Sequence, residues 1–281
     1  MGKLLDQALE PSNASRAWKR LRNDQAPWHA GSNGGGPQGD ATYEILSLID
    51  ELRSGRYRPD RLRRFTIKKA NGKERVLSAL SLRDKLAQRM VLNVVEPIGE
   101  ALFHNESYAY RPNRNVAMAH ARAVENIRCG LPWLVDADIE GFFDHIPHRA
   151  LRKQLKQYIP DREILHLMAL WLDAAVPVTG IFESRRGIPQ GAILSPFWCN
   201  LYLHRFDSAL AAKNIPFVRY ADDFLLFAKD EVTARKIFQF AERSLKQLDL
   251  RLHPQKSRVT LTGSNIIFLG KPLPKKQLPA R

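Results

Sequence analysis

The spacing of hydrophobic positions predicts a chain in which helices alternate with short strands. In several long stretches apolar residues recur every three or four positions, as on the buried face of an amphipathic helix. These stretches predict helices at 42–52, 82–102, about 115–128, 147–157, 161–174, from after Gly191 to about 212, and 231–248. Short runs rich in Val, Ile, Phe and Leu predict strands at 133–138, in a hairpin at 216–228, and at 258–262 and 266–270. This order predicts an α+β fold.

The predicted hairpin at residues 216–228 carries two adjacent acids. Its two apolar arms flank Asp222 and Asp223. Neighbouring carboxylates repel each other and lose solvation when they are half-buried, and a bound divalent cation relieves both penalties. Taken alone, the pair is also typical of an ordinary solvated turn, because Asp is common in turns.

A second acidic stretch follows the strand predicted to begin at Trp133. Four acids fall within nine residues beside two phenylalanines, and they are Asp136, Asp138, Glu140 and Asp144. This density favours cation binding. The alternative is an acidic loop in which Asp144 caps the helix predicted to open near Pro147.

Composition narrows the class of partner. The 281 residues include 44 Lys and Arg against 29 Asp and Glu, which gives a net charge of +15. Such an excess favours a polyanion, most simply nucleic acid, with an anionic membrane surface as the rival. No apolar run approaches the ~18 residues of a membrane span, so we expect a soluble cytoplasmic protein without a membrane partner. The two cysteines, Cys129 and Cys199, give neither a disulfide framework nor zinc spacing.

Two glycine-containing turns are candidates for ligand contact. Asn71-Gly72 predicts a hairpin whose arms carry Lys68, Lys69, Lys73 and Arg75. That hairpin is either a solvated charged ribbon or a lid whose cations bind a triphosphate. Gly187-Ile-Pro-Gln-Gly191 is the second turn, and its glycines allow the backbone to approach a ligand beneath Gln190.

Three motifs in this order and spacing resemble the palm motifs of reverse transcriptases. They are Asp138-Ile-Glu-Gly-Phe-Phe-Asp144, Gly187-Ile-Pro-Gln-Gly191 with Ser195-Pro196, and Tyr220-Ala-Asp-Asp223. The stretches 84–88, 107–112 and 253–256 are most similar to the bacterial branch that contains group II intron proteins. The resemblance extends over roughly residues 16–270.

The resemblance implies a right-hand polymerase fold with an antiparallel palm sheet backed by helices. It divides the chain into a basic N-terminal extension with a Gly-rich loop (1–40), fingers (41–130), a palm with the catalytic motifs (131–270) and a basic tail (271–281). The helical thumb of the family has no counterpart in the sequence, so we expect a protein partner to supply its function or the reading frame to be truncated.

The resemblance also implies residue roles. Asp138 and Asp222 are expected to bind two Mg²⁺ ions (Mn²⁺ is an alternative), with Asp223 as a weaker participant. Expected dNTP contacts come from Lys69 and Arg75 on the triphosphate, Phe143 under the sugar, Gln190 at the nascent base pair or template, and Lys256 near the pyrophosphate. Lys256 acts there as a general acid or forms a plain salt bridge. Phe268, Leu269 and Gly270 resemble the primer grip.

The resulting expectation is an RNA-directed DNA polymerase that uses an RNA template, a DNA or RNA primer and dNTPs. Two alternatives are an RNA-binding, maturase-like protein with weak or no polymerase activity, and a primer-independent nucleotidyl transferase. Intron mobility, CRISPR spacer acquisition and other host defence are the expected settings.

Overall fold

The computed structural model describes residues 2–32, 35–37, 39–68, 74–175 and 185–275. The helices are α1 Lys3–Ala8, α2 Pro11–Leu21, α3 Ala41–Ser54, α4 Leu82–Leu102, α5 Val116–Arg128, α6 Phe142–His145, α7 His148–Tyr158, α8 Arg162–Ala175, α9 Ser195–Ala212 and α10 Glu231–Lys246. The strands are β1 Arg63–Lys68, β2 Glu74–Ala79, β3 Trp133–Asp138, β4 Phe217–Tyr220, β5 Asp223–Ala228, β6 Arg258–Leu261, β7 Ile267–Phe268 and β8 Lys271–Pro272. The predicted α+β class is confirmed.

The chain divides into two compact units, and each is built from two separate stretches. The first contains residues 1–101 and 146–198, and the second contains residues 102–145 and 199–281. The predicted fingers and palm ranges are continuous in the sequence, and their boundaries stay predictions.

The second unit contains a four-stranded antiparallel sheet in the order β4-β5-β3-β6. β3 lies in the middle of the sheet and pairs with β5 on one side and with β6 on the other. The turn between β4 and β5 consists of Ala221 and Asp222, because Tyr220 is paired with Asp223. The predicted hairpin is therefore confirmed, and it places one acid in the turn and the other on the first residue of β5.

One face of this sheet changes from apolar to acidic along the strands. Side chains alternate between the two faces, so Leu134 and Asp138 of β3 share a face with their partners Phe227 and Asp223 of β5. Leu134 and Phe227 are buried in a core cluster together with Ile127 of α5. The apolar end anchors the face, and the other end presents carboxylates.

Two helices fix the position of the sheet within the second unit. The buried positions Ala119, Ala123 and Ile127 lie four residues apart on α5, which packs against β4 and β5. The small alanines let the helix approach the strands closely. The helix α10 packs against β3, β5 and β6, and Asp230 caps its first turn by accepting a hydrogen bond from the Thr233 amide at 2.7 Å.

The first unit contains the two-stranded antiparallel ribbon β1–β2 and a buried polar network. Asp84 of α4 accepts a hydrogen bond from the Tyr57 hydroxyl at 2.5 Å, and the Trp171 indole of α8 donates to the same hydroxyl at 2.8 Å. The Asp60 amide also donates to Asp84, at 2.8 Å. This network joins α4, α8 and the segment after α3 in one buried contact.

Two local expectations were wrong or incomplete. Asp144 does not cap the helix near Pro147, because it lies inside the short helix α6, and Pro147 itself occupies the N-cap position of α7 without a side-chain bond. The strand predicted at 266–270 is reduced to β7, which forms a small ribbon with β8. Among the described residues, no helix is both long and apolar enough to cross a membrane.

Candidate active site

Asp138 and Asp223 are cross-strand neighbours at the acidic end of the sheet face. They are paired in the register of β3 and β5. Side chains of directly opposed residues lie close together, and two like charges in that position destabilise a sheet. A compensating cation is therefore favoured at this point.

Asp222 lies beside this pair in the β4–β5 turn. The preceding residue, Ala221, has a φ of +59°, a left-handed value that is unfavourable for residues other than glycine. The Asp222 carbonyl accepts a hydrogen bond from the Ile139 amide at 3.3 Å, which ties the turn to the end of β3. The three predicted catalytic aspartates thus come together in one unit.

The pKa of Asp223 reflects the negative charge collected here. Burial is the largest cause, and together with the nearby carboxylates of Asp136, Asp138 and Asp222 it raises this pKa to about 7, against a lowering by Lys256. The structure therefore places four acids within electrostatic reach of one another, which is the environment that carboxylate ligands of a divalent cation require.

Lys256 reaches this cluster from the loop before β6. Its ammonium donates to the Asp138 Oδ2 atom, and this bond raises the pKa of Lys256 above its ordinary value. The loop is held in place because the His253 amide donates to the Asp138 carbonyl at 2.8 Å. The predicted approach of Lys256 to the acids is thus present as a salt bridge.

The remaining acids of the 136–144 stretch do different work. The Asp136 carboxylate accepts two hydrogen bonds from the Arg258 guanidinium of β6, at 3.0 and 3.1 Å. Burial raises the pKa of Asp136, and Arg258 opposes that rise. Glu140 and Asp144 are exposed. Of the four acids in this stretch, only Asp138 is paired with Asp223 of β5.

Phe143 follows a tight turn at the end of β3. Gly141 has a φ of +52°, and a Cβ atom on it would lie 2.8 Å from the His145 ring, so the turn requires glycine. The Phe143 ring is half-buried and packs edge-to-face on the buried Phe142 ring, with 5.7 Å between the ring centres. Phe142 anchors the turn and leaves part of the Phe143 ring accessible.

Gln190 belongs to the first unit, in the loop that the sequence predicts to be framed by glycines. Gly187 and Gly191 have φ values of +93° and +105°. The Gln190 carbonyl accepts a hydrogen bond from the Ser78 amide of β2 at 2.8 Å, and a Cβ atom on Gly191 would lie 3.0 Å from the Ser78 carbonyl oxygen. The glycines therefore permit close contact between this loop and β2.

The predicted triphosphate contacts are only partly within the described residues. Lys69 lies outside them. The backbone of Arg75 belongs to β2 and is paired with Ile67 of β1. The ribbon that would carry both residues is present, as Asn71-Gly72 predicts. Their roles remain predictions.

The residues predicted as a primer grip have two different environments. The Phe268 side chain is buried in the core cluster of the second unit. Leu269 and Gly270 form the turn between β7 and β8, and both have positive φ values, +52° and +80°. Leu269 is partly buried against the same cluster and Gly270 is exposed, so the role of this turn stays a prediction.

A buried ion pair next to the β4–β5 turn was not predicted. Arg219 of β4 and Asp207 of α9 are both fully buried and are joined by two hydrogen bonds, at 2.6 and 2.8 Å. Burial lowers the pKa of Arg219, but the Asp207 carboxylate outweighs this effect, and the net pKa is raised. The available signal was an arginine inside an apolar strand.

The donor set at this site suits Mg²⁺, a hard cation that prefers carboxylate oxygens. Cross-strand carboxylates with a raised pKa at Asp223 support that fit. In the part of the chain that the structure describes, however, no group of three or more His, Cys, Asp or Glu side chains is already arranged to hold a metal ion. Lys256 occupies one oxygen of Asp138, so a cation that binds to that oxygen must displace the salt bridge.

Comparison with known proteins gives a consistent match. Residues 67–273 match the model of the family described as Reverse transcriptase (RNA-dependent DNA polymerase). Protein YkfC of Escherichia coli is 30% identical over 98% of this chain and 83% of its own length. The group II intron-encoded protein LtrA of Lactococcus lactis is 33% identical over 64% of this chain and 30% of LtrA.

A solved structure resembles the chain as well. The Cas6-RT-Cas1–Cas2 complex contains a chain that is 25% identical, with a TM-score of 0.51, and the match covers 87% of this chain and 26% of the other. The present chain therefore corresponds to about a quarter of that protein and to less than a third of LtrA.

Proposed function

Since the chain belongs to the reverse transcriptase (RNA-dependent DNA polymerase) family, we propose that it extends a primer 3′-hydroxyl with dNTPs on an RNA template. The observation that carries this proposal is the opposition of Asp138 and Asp223 across β3 and β5, with Asp222 in the adjoining turn. Two opposed carboxylates destabilise a sheet unless they serve a cation.

Asp138, Asp222 and Asp223 would hold two Mg²⁺ ions, or Mn²⁺ in their place. When bound, such ions neutralise the charge on phosphoryl oxygens and activate the attacking hydroxyl. The chain's own contribution is to fix these carboxylates at one end of a rigid sheet face. The buried pair Leu134 and Phe227 holds the other end of that face.

Lys256 is the proposed proton donor beside this site. Its ammonium bonds to Asp138 in this structure and, as an ordinary lysine does, carries its proton at neutral pH also when a cation takes that oxygen. We assign it to the leaving pyrophosphate, where its charge and proton stabilise the departing oxygen. Phe143 would line the sugar, and an aromatic wall there excludes a 2′-hydroxyl by its bulk.

The first unit carries further residues with predicted nucleotide contacts. The ribbon residues Lys69 and Arg75 would contact the triphosphate, because cationic side chains form charge-assisted bonds with phosphoryl oxygens. Gln190 would contact the nascent base pair or the template. In the second unit, the turn residues Leu269 and Gly270 would contact the primer.

The net charge of +15 supports a second role, RNA binding that does not depend on catalysis. Neutralisation of RNA phosphates by Lys and Arg releases counterions, so affinity should fall steeply with added salt. If binding were the only role, RNA affinity would be retained by a wild-type protein that incorporates no dNTP.

We propose that the protein copies RNA either in intron mobility or in spacer acquisition, as part of a larger protein assembly. Similarity to a group II intron-encoded protein supports the first setting, and similarity to a Cas6-RT-Cas1–Cas2 complex supports the second. Neighbouring genes distinguish them, because an intron boundary indicates mobility and a spacer array indicates acquisition.

The experiment that tests the proposed reaction is dNTP incorporation on a primed RNA with Asp222→Asn as the variant. This change removes the charge and keeps the shape, so the rate should fall by at least about 10²-fold. The matched control is Glu242→Gln, which neutralises an exposed acid on α10 and should leave the rate unchanged. Equal rates for wild type and Asp222→Asn would remove the assigned chemistry.

A further inference from the structure

We propose that Arg219 positions the Asp222 carboxylate by holding the peptide group that joins Ala221 to Asp222. The inference rests on the proposed function, because it concerns the geometry of a residue assigned to the metal. Arg219 has no exposed surface, so it cannot touch nucleotide, template or primer. Its effect on the reaction must pass through its neighbours.

All five N–H donors of the Arg219 guanidinium are in use. Nε and Nη2 donate to the two oxygens of Asp207, at 2.8 and 2.6 Å. The other three bonds go to the Asn200 side-chain oxygen at 3.1 Å, the Ser107 hydroxyl at 2.7 Å and the Ala221 carbonyl at 3.0 Å. A guanidinium has five donors in a fixed fork, so this side chain is held in one orientation.

The Ala221 carbonyl is the part of the network that bears on catalysis. It belongs to the same peptide plane as the Asp222 amide, so fixing its direction fixes where Asp222 leaves the turn. Ala221 adopts a left-handed φ of +59°, which its Cβ atom disfavours. A hydrogen bond at that carbonyl compensates for an otherwise unfavourable turn.

The other end of the network is anchored on rigid parts of the same unit. Asn200 and Asp207 both belong to α9, and the Asn200 side-chain Nδ2 atom donates to the Ala109 carbonyl at 2.8 Å. The backbone of Arg219 is also paired, because its amide donates to the Glu106 carbonyl and its carbonyl accepts from the Tyr108 amide, each at 2.9 Å. The Arg219 side chain therefore connects the β4–β5 turn to α9 and to segment 106–109.

Stability alone is a weak reason for this arrangement. A buried ion pair is often replaceable by well-packed apolar side chains without loss of stability. Apolar side chains, however, cannot donate to the Ala221 carbonyl. Stability and positioning can thus be separated by experiment.

The test compares Arg219→Lys with the paired replacement Arg219→Met and Asp207→Leu. Lysine keeps the charge against Asp207 but donates from a single nitrogen, so it cannot reproduce bonds that the fork spreads over three nitrogens. The paired replacement leaves no buried charge without a partner. The control is Ile127→Ala, which removes core packing on α5 and lowers the melting temperature without touching the network.

Two readouts are measured beside the melting temperature. The first is Mn²⁺ binding followed by electron paramagnetic resonance, with Asp222→Asn as the baseline for loss of the site. The second is kcat and dNTP KM on a primed RNA as Mg²⁺ is titrated. We expect both Arg219 variants to bind Mn²⁺ at least about tenfold more weakly and to lose about 10²-fold in kcat, with KM for dNTP within about threefold.

The control decides between positioning and stability. Ile127→Ala should lower the melting temperature with unchanged Mn²⁺ affinity and unchanged Mg²⁺ dependence. If the paired replacement does not fold, Arg219→Lys carries the comparison alone. Wild-type Mn²⁺ affinity in a folded Arg219 variant would overturn the proposal, as would a loss in Ile127→Ala of the same size.

Ala221→Gly provides a rescue. Glycine adopts a left-handed φ without strain, so it should restore part of the Mn²⁺ affinity lost in Arg219→Lys. No rescue would contradict a role through the turn. If wild type incorporates no dNTP, the proposed function fails, and the Mn²⁺ comparison still decides the role of Arg219.

Discussion

Asp138 and Asp223 face each other as paired residues of adjacent antiparallel strands, at the end of the sheet face where its apolar core stops. In the absence of a cation this pairing is unfavourable, because two carboxylates approach each other and burial raises the pKa of Asp223 to about 7. The fold is therefore locally destabilised at the position where the family reaction requires negative charge.

That cost predicts a stability effect of opposite sign with and without divalent cations. In EDTA, Asp223→Asn should stabilise the protein by about 0.5 kcal/mol, because it removes a like-charge neighbour of Asp138. With Mg²⁺ present, wild type should gain stability by mass action, and the variant should gain less. Thermal denaturation in both buffers measures the two effects. Destabilisation by Asp223→Asn in EDTA would show that the Asp138 and Asp223 carboxylates do not repel each other.

The salt bridge between Lys256 and Asp138 predicts competition between an ammonium and a metal ion. Lys256→Met frees the Asp138 oxygen, so Mn²⁺ binding without nucleotide should strengthen by about threefold. The same variant should lower kcat, because the cation near the leaving pyrophosphate is lost. Isothermal titration and primer extension measure these quantities. Weaker Mn²⁺ binding in Lys256→Met would contradict competition at this oxygen.

The half-buried ring of Phe143 predicts sugar selectivity. Phe143→Val should raise the incorporation of rNTP relative to dNTP by at least about tenfold, since a smaller side chain admits a 2′-hydroxyl. The control is Phe240→Val, which makes the same change at a partly buried ring of α10 and should leave the ratio unchanged. Competing rNTP and dNTP extension gives the ratio directly. An unchanged ratio in Phe143→Val would assign the discrimination elsewhere.

Asp84 predicts a pH dependence of stability in the first unit. Burial raises its pKa from 3.8 to about 6, despite hydrogen bonds from the Tyr57 hydroxyl and the Asp60 amide. Between about pH 4 and pH 6 the folded state keeps a proton that the unfolded state has released, so stability should fall as the pH rises. The total loss should be about 3 kcal/mol.

Asp84→Asn should abolish this slope, and Asp6→Asn, at an exposed carboxylate of α1, should retain it. Chemical denaturation at several pH values measures the slopes. Parallel curves for wild type and Asp84→Asn between pH 4 and pH 6 would exclude the assignment to Asp84.

The elements were predictable from the sequence where they depend on local periodicity. Helix α4 matches its predicted range, and strand β3 ends at Asp138 as expected, because apolar spacing and strand alternation are local signals. The resemblance of the motifs predicted that Asp138, Asp222 and Asp223 come together, but it did not predict the register that pairs Asp138 with Asp223. Spacing alone does not bring together residues so far apart in the chain.

Long-range polar partners could not be predicted. Arg258 donates hydrogen bonds to Asp136 from 122 positions away, and no sequence pattern predicts this pair. Arg219 and Asp207 are close in the chain, but their pairing depends on how α9 packs against β4. The burial of Phe268 likewise depends on the core that surrounds the β7–β8 ribbon, so its motif resemblance did not reveal its environment.

The most direct test of the account is single-nucleotide extension of a primer on an RNA template, measured as Mg²⁺ is titrated in wild type and in Asp138→Asn. The account predicts that wild type adds the dNTP complementary to the template, in proportion to bound Mg²⁺. It also predicts that Asp138→Asn is slower by at least about 10²-fold at every concentration. Equal rates in the two proteins, or addition that ignores the template base, would contradict it.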